Sequence, residues 1–200
     1  VVLELSKHPI LNGIYLTLKK FTIPLVILGI MLSTLHQSSL GSLFLIMPHR
    51  LDPLWYTPIL PILFFISAIG LGLGMVTTES LMSSWLYEQP YEAKPLQGLG
   101  KAASGVLFFY LIVRLVDLGV RGQLGRVFSG GFGPNLFIAE ILISTLIPAL
   151  MFAIPRIRNT IVGLATAAGM TVVGFVFHRI NVGGLAMIET TGTRYVPSLS

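Results

Sequence analysis

The chain contains no cysteine. It can therefore supply neither thiolate ligands for an iron–sulfur cluster nor a disulfide, and any cluster that works with it belongs to a partner. Charge is scarce as well: 10% of the residues are charged against 54% hydrophobic, and the mean hydropathy is +0.84. A soluble domain could not clothe itself with so little polar surface. The short alternating segments of a membrane barrel are also missing. What remains is an all-α integral membrane protein, a transmembrane helical bundle. The net charge of +5 is spread over loops and helix ends rather than clustered, so no nucleic-acid partner is expected. The chain opens on VVLELSK and stops after Tyr195-Val-Pro-Ser-Leu-Ser, without initiator Met, signal peptide or recognisable end. It reads as a single membrane domain, residues 1–200, cut from a longer subunit.

Five runs are long enough to cross a hydrocarbon core of roughly 30 Å at about 1.5 Å per residue: Ile14 to Leu35, Thr57 to Thr78, Ala102 to Val120, Asn135 to Ile154 and Thr160 to Ile180. They are called spans A to E. Lys7, Lys19 and Lys20 lie towards the start of A, Lys94 and Lys101 between B and C, and Arg156 and Arg158 between D and E. The opposite side holds Arg50, Arg121, Arg126 and Arg194, with Arg179 near the end of E. Seven against five puts the N-terminal side in the cytoplasm, so the loops 36–56 and 121–134 face outward. Gly70 and Gly74 in B, and Ala165 and Gly169 in E, are spaced for close helix approach. Pro24 and Pro148 each remove a backbone donor inside a span and should kink it. Trp55 and Tyr56 read as an interfacial anchor.

Against this apolar background the ionisable residues stand out. Arg114 and Asp117 are three apart within span C, on one helix face, and can pair. Such groups cost a few kcal/mol each at membrane depth, which makes them functional candidates. Glu140, near the outer end of D, could pair with Arg114 or relay protons, whereas Glu79 reads as a solvated residue closing B. His178, Arg179 and Asn181 mark the outer end of E. This set is either a proton-transfer network or an ion cluster that fixes the bundle. His36 follows A in the polar run His36-Gln37-Ser38-Ser39, where it could exchange protons or simply bond solvent or backbone. Ligation of a b-type haem by His36 and His178 is a rival reading that is not favoured. No metal-ligand set is assigned. Kinked helices carrying charge also suit a secondary transporter.

The string His36-Gln-Ser-Ser-Leu-Gly-Ser-Leu-Phe44, the following His49-Arg-Leu-Asp-Pro-Leu-Trp55 and the run Leu60 to Gly70 resemble the NrfD/PsrC family of membrane subunits, especially its HybB-type members from nickel–iron hydrogenases. Arg114-Leu-Val-Asp117, Glu140 and His178-Arg-Ile-Asn181 occur in a similar order. The resemblance implies about eight helices in two four-helix bundles, of which five spans are a part. It also implies a site near the outer face for a quinone, menaquinone or ubiquinone, with His36, Gln37 and Ser39 as candidate contacts. A ferredoxin-like iron–sulfur subunit and the large and small hydrogenase subunits would be the partners, on the outer side of a bacterial or archaeal cytoplasmic membrane. A molybdoenzyme or a multihaem cytochrome in place of the hydrogenase would leave the quinone role intact.

Overall fold

The computed structural model describes residues 9–46, 51–88, 90 and 92–185, with side chains from residue 18 onward except 34 and 185. Lys7, His49, Arg50 and Arg194 lie outside them. Among the described residues the regular structure is all helical: α1 Pro9–Leu45, α2 Leu60–Leu86, α3 Ala93–Val120, the short α4 Leu124–Val127, α5 Phe132–Ile141, a π-helical turn Leu142–Leu146, α6 Ile147–Ala153, the short α7 Pro155–Arg158, α8 Ile161–Ile180 and a closing π-helical turn Asn181–Leu185. Five helical segments are long and apolar enough to span a membrane, with α5, its π turn and α6 together forming one of them.

α2, α3, α6 and α8 close a ring in which each packs against the next, while α1 lies outside and packs along α2. The ring interior is a continuous apolar core around Leu63, Leu107, Tyr110, Phe152, Leu164 and Phe175. A second apolar layer of Leu51, Leu54, Trp55, Leu60, Phe64, Leu118, Phe137 and Val182 seals one end of the ring.

Several boundaries differ from those read in the sequence. α1 does not stop at Leu35 but continues for ten residues, so the run from His36 to Ser39 is helix rather than loop. Histidine, glutamine and serine are only mildly unfavourable in helices, and the Ser42 hydroxyl bonds back to the Ser38 carbonyl at 2.9 Å without leaving the helix. α2 begins at Leu60 and runs seven residues beyond the exposed Glu79. α3 starts nine residues before Ala102 and carries Lys94 and Lys101 on exposed positions. α1 passes through Pro24 as one helix.

Pro148 has a larger effect. It lacks the N–H that would bond the Ser144 carbonyl, and its ring crowds that carbonyl. The preceding turn widens into the π form. Across from it Ser104 donates its hydroxyl to the Ala149 carbonyl at 3.0 Å, a polar tie between α3 and α6.

Glycines set the helix approaches, though not all the expected ones. A Cβ on Gly74 would sit 3.4 Å from the Ala168 carbonyl and one on Gly70 3.2 Å from Leu107. Gly169 faces open space, and the close contacts of α8 come from Gly163 and Gly174 instead. Ala165 packs partly buried against the core, so of the pair at 165 and 169 only the glycine is left without a close neighbour. At Gly41 a Cβ would lie 2.6 Å from the Pro61 Cα and 2.9 Å from its nitrogen. This is the point where α1 touches the start of α2. Gly41→Ala is expected to push α1 off α2 and to cost about 1–3 kcal/mol. Thermal unfolding in detergent reads this, and an unchanged midpoint would show that the contact is slack.

Candidate functional site

The turn between α1 and α2 folds inward. Asp52 and Pro53 start it: the Asp52 carboxylate accepts from the Leu54 N–H at 2.8 Å, the side-chain-to-backbone turn that Asp commonly makes. Leu54 and Trp55 are thereby driven into the end of the ring, and Trp55 is fully buried. The expected interfacial anchor is therefore a plug. Its indole has to find a hydrogen-bond acceptor inside, and that acceptor is Glu140 at 3.0 Å.

Glu140 is the centre of the site. One carboxylate oxygen faces His178 Nδ1 at 2.6 Å, and the other accepts from Asn181 Nδ2 at 2.6 Å as well as from Trp55. Glu140, His178 and Asn181 are all buried. The His178 ring is held edge-on by Phe64 and Phe175, with centroids at 5.9 and 6.5 Å. Three chain segments, the 51–56 turn, α5 and the end of α8, thus converge on one carboxylate. Glu140 does not pair with Arg114. Its partners arrive from α8 and the plug and occupy both oxygens.

Nor do Arg114 and Asp117 pair with each other. Both are buried on one face of α3, as their spacing requires. Asp117 instead binds Arg121, one further turn along, at 2.7 and 3.0 Å. Its other oxygen accepts from the Thr57 hydroxyl at 2.7 Å. Arg121 also donates to the Pro53 and Tyr56 carbonyls, so it ties the plug to α3. Arg121→Ala is expected to loosen the turn, at about 1–3 kcal/mol for the acceptors left bare, and to speed limited proteolysis between residues 51 and 59. Unaltered cleavage would dismiss this anchoring role. Arg114 donates to the Leu54 carbonyl at 2.9 Å and lies 5.3 Å from the Phe137 ring. Its Nε and its other terminal nitrogen lack a hydrogen-bond partner.

Arg179 points the other way, towards α1. One terminal nitrogen donates to Ser67 Oγ at 2.9 Å, the Phe64 carbonyl at 3.1 Å and Gln37 Oε1 at 3.2 Å. The guanidinium lies 3.6 Å from the centroid of the Phe64 ring. Gln37 also lines a groove of about 380 Å³ between α1 and α2, otherwise walled by Val26, Gly29, Ile30, Ser33, Phe65, Ala68 and Ile69. His36 and Ser39 are exposed and do not line it.

The structure therefore groups Glu140, His178 and Asn181, and separately Gln37 and Arg179, while Asp117 belongs to the anchor of the plug. Trp55, Thr57 and Arg121 were missed as members of these networks. The Asp-Pro turn followed by two large apolar residues was the available signal for Trp55. A haem shared by His36 and His178 does not fit: His36 is exposed on α1, and the His178 ring is packed inside the bundle between Phe64 and Phe175. Among the described residues no group of three or more His, Asp or Glu could hold a metal ion.

Residues 3–188 match the family described as polysulphide reductase, NrfD. The chain belongs to the NrfD family. A relative from Nitratidesulfovibrio vulgaris strain Hildenborough, named only "Protein", is 37% identical over 170 residues, 82% of this chain and 43% of its own length. The probable Ni/Fe-hydrogenase 2 b-type cytochrome subunit of Escherichia coli K12 is 28% identical, covering 90% of this chain and 47% of its own. The integral membrane subunit of menaquinone reductase from N. vulgaris Hildenborough is also 28% identical, covering 76% and 40%. The chain spans less than half the length of each of these relatives. No solved structure matches. This NrfD chain is a multi-pass, all-helical membrane protein related to membrane subunits of redox complexes.

Proposed function

We propose that this NrfD chain is the quinone-reactive membrane part of a respiratory oxidoreductase complex. It passes electrons between a partner's iron–sulfur clusters and the quinone pool of a bacterial or archaeal cytoplasmic membrane. The observation that carries this reading is the groove between α1 and α2, apolar along most of its length and polar at one end, at Ser33 and Gln37, which suits a headgroup on an apolar tail. The names of two relatives, a hydrogenase cytochrome subunit and a menaquinone reductase subunit, support the same role. Hydrogen is the proposed electron source, with a ferredoxin-like subunit and hydrogenase subunits bound on the outer side, and the helices of a complete two-bundle fold supplied by the rest of the subunit.

Reduction of a quinone consumes two electrons and two protons, so a proton store near the headgroup has a use. His178 Nδ1 and a Glu140 carboxylate oxygen, 2.6 Å apart, take this part in the proposal. Asp117, held by Arg121 and Thr57, takes a structural one. Asp117→Asn is accordingly expected to leave turnover and proton uptake unchanged in an assembled complex. A loss of proton uptake would return Asp117 to the relay.

Purification of the intact complex in mild detergent, with every co-purifying chain identified by mass spectrometry, tests the assembly. Hydrogenase subunits with a ferredoxin-like protein support hydrogen oxidation. A molybdoenzyme or multihaem cytochrome replaces the donor and keeps the quinone role. A solitary subunit overturns the reading and favours transport.

A further inference from the structure

Arginine is a pure donor, so only the oxygen of a glutamine amide can face it. Arg179 binds Gln37 Oε1 at 3.2 Å, and this fixes which way round the Gln37 amide sits. The amide NH2 is then the free end, and it has no partner among the described residues, on a side chain that lines the α1–α2 groove. Arg179 cannot easily turn aside. It is clamped by Ser67 Oγ, by the Phe64 carbonyl and by the face of the Phe64 ring.

We infer that Gln37 is the hydrogen-bond donor to a carbonyl oxygen of a headgroup seated in this groove, and that Arg179 is the positioning residue that orients it. The inference rests on the quinone reading and deepens it. A freely rotating amide could offer a ligand either a donor or an acceptor, whereas this one offers a donor alone. At its Gln37 end the groove therefore favours an acceptor headgroup on an apolar tail. A quinone carbonyl and a phospholipid ester carbonyl share that chemistry. The quinone is the ligand assigned here, because the polar lining is confined to Ser33 and Gln37 at one end of the groove and no described lysine or arginine lines it to hold a phosphate.

The test uses the intact complex with a short-chain naphthoquinone carrying a labelled carbonyl. Titration gives its dissociation constant, and infrared difference spectroscopy gives its carbonyl stretch. The expected result is saturable binding with a lowered stretching frequency, reversal of that shift in Gln37→Leu, and a broadened or reversed shift in Arg179→Met. Arg179→Lys should retain much of the shift, because an ammonium also faces only Oε1. Affinity should fall about tenfold in Gln37→Leu, the loss of one good hydrogen bond. Tight binding with an unshifted carbonyl, or a shift indifferent to both substitutions, overturns the inference and leaves the quinone role standing. No naphthoquinone binding, with a phospholipid ester carbonyl shifted in its place, overturns both and gives the groove to lipid.

Discussion

Glu140→Ala is expected to remove the assembled protein from the membrane, while Glu140→Gln leaves it there. Alanine strips the acceptor from Trp55 Nε1, Asn181 Nδ2 and His178 Nδ1 at once. Each buried donor left bare costs about 1–3 kcal/mol, and breaking a buried pair by removing one partner costs about 3–5 kcal/mol. Folded domains hold only about 5–15 kcal/mol in reserve. Glutamine keeps the shape and an acceptor oxygen, so the plug and α8 stay in place. What it lacks is an ionisable carboxyl facing His178, and quinone reduction is expected to fall about tenfold or more in the assembled complex if that pair handles protons. Fluorescence-detected gel filtration reads assembly and a quinone-reduction assay reads turnover. An alanine variant that melts with the parent would show that the cluster does not hold the bundle. A fully active glutamine variant would remove Glu140 from proton handling.

The second large effect lies at the π turn. A Cβ on Gly174 would press into the Ser144 backbone and lie 2.8 Å from its Cβ. Backbone cannot step aside as a flexible side chain can. Gly174→Val is expected to separate α8 from the π turn at a cost of about 3 kcal/mol, the upper end for overpacking. It should also carry His178, one turn further along α8, away from Glu140. Loss of quinone turnover should then accompany a lower melting temperature. Substitution at Gly169, which faces open space, serves as the control on the same helix. If Val at 174 costs no more than Ala at 169, the two segments are not locked.

The spans were legible because an apolar run of some twenty residues has few other uses, and the buried face of α3 was legible from the spacing of Arg114 and Asp117. Their partners were not. Spacing says which side chains share a face, but Asp117 had a choice between Arg114 and Arg121. That choice depended on Pro53 and Tyr56, whose carbonyls draw Arg121 across from a distant loop. Trp55 was misjudged because an aromatic beside a span sits at a lipid interface as readily as inside a bundle, and only the inward Asp52 turn separates the two. His36 and Gln37 are neighbours on one string, yet the helix that continues through them sends one outward and the other to the groove. A residue's direction there depends on where α1 ends, and that end lies ten residues beyond Leu35, after the polar run, with the close contact at Gly41 on the way.

The order of synthesis adds a constraint on the Glu140 cluster. A chain made from its N-terminus delivers the span Phe132–Ala153 before the span Ile161–Gly184. Trp55 is available early, but His178 and Asn181 are not. Glu140 thus enters the bilayer with two of its three partners still unmade, in a solvent that penalises such a group. The last described span closes the account on the one before it. Until then the nascent protein holds a carboxyl group at membrane depth that lacks two of its three eventual partners.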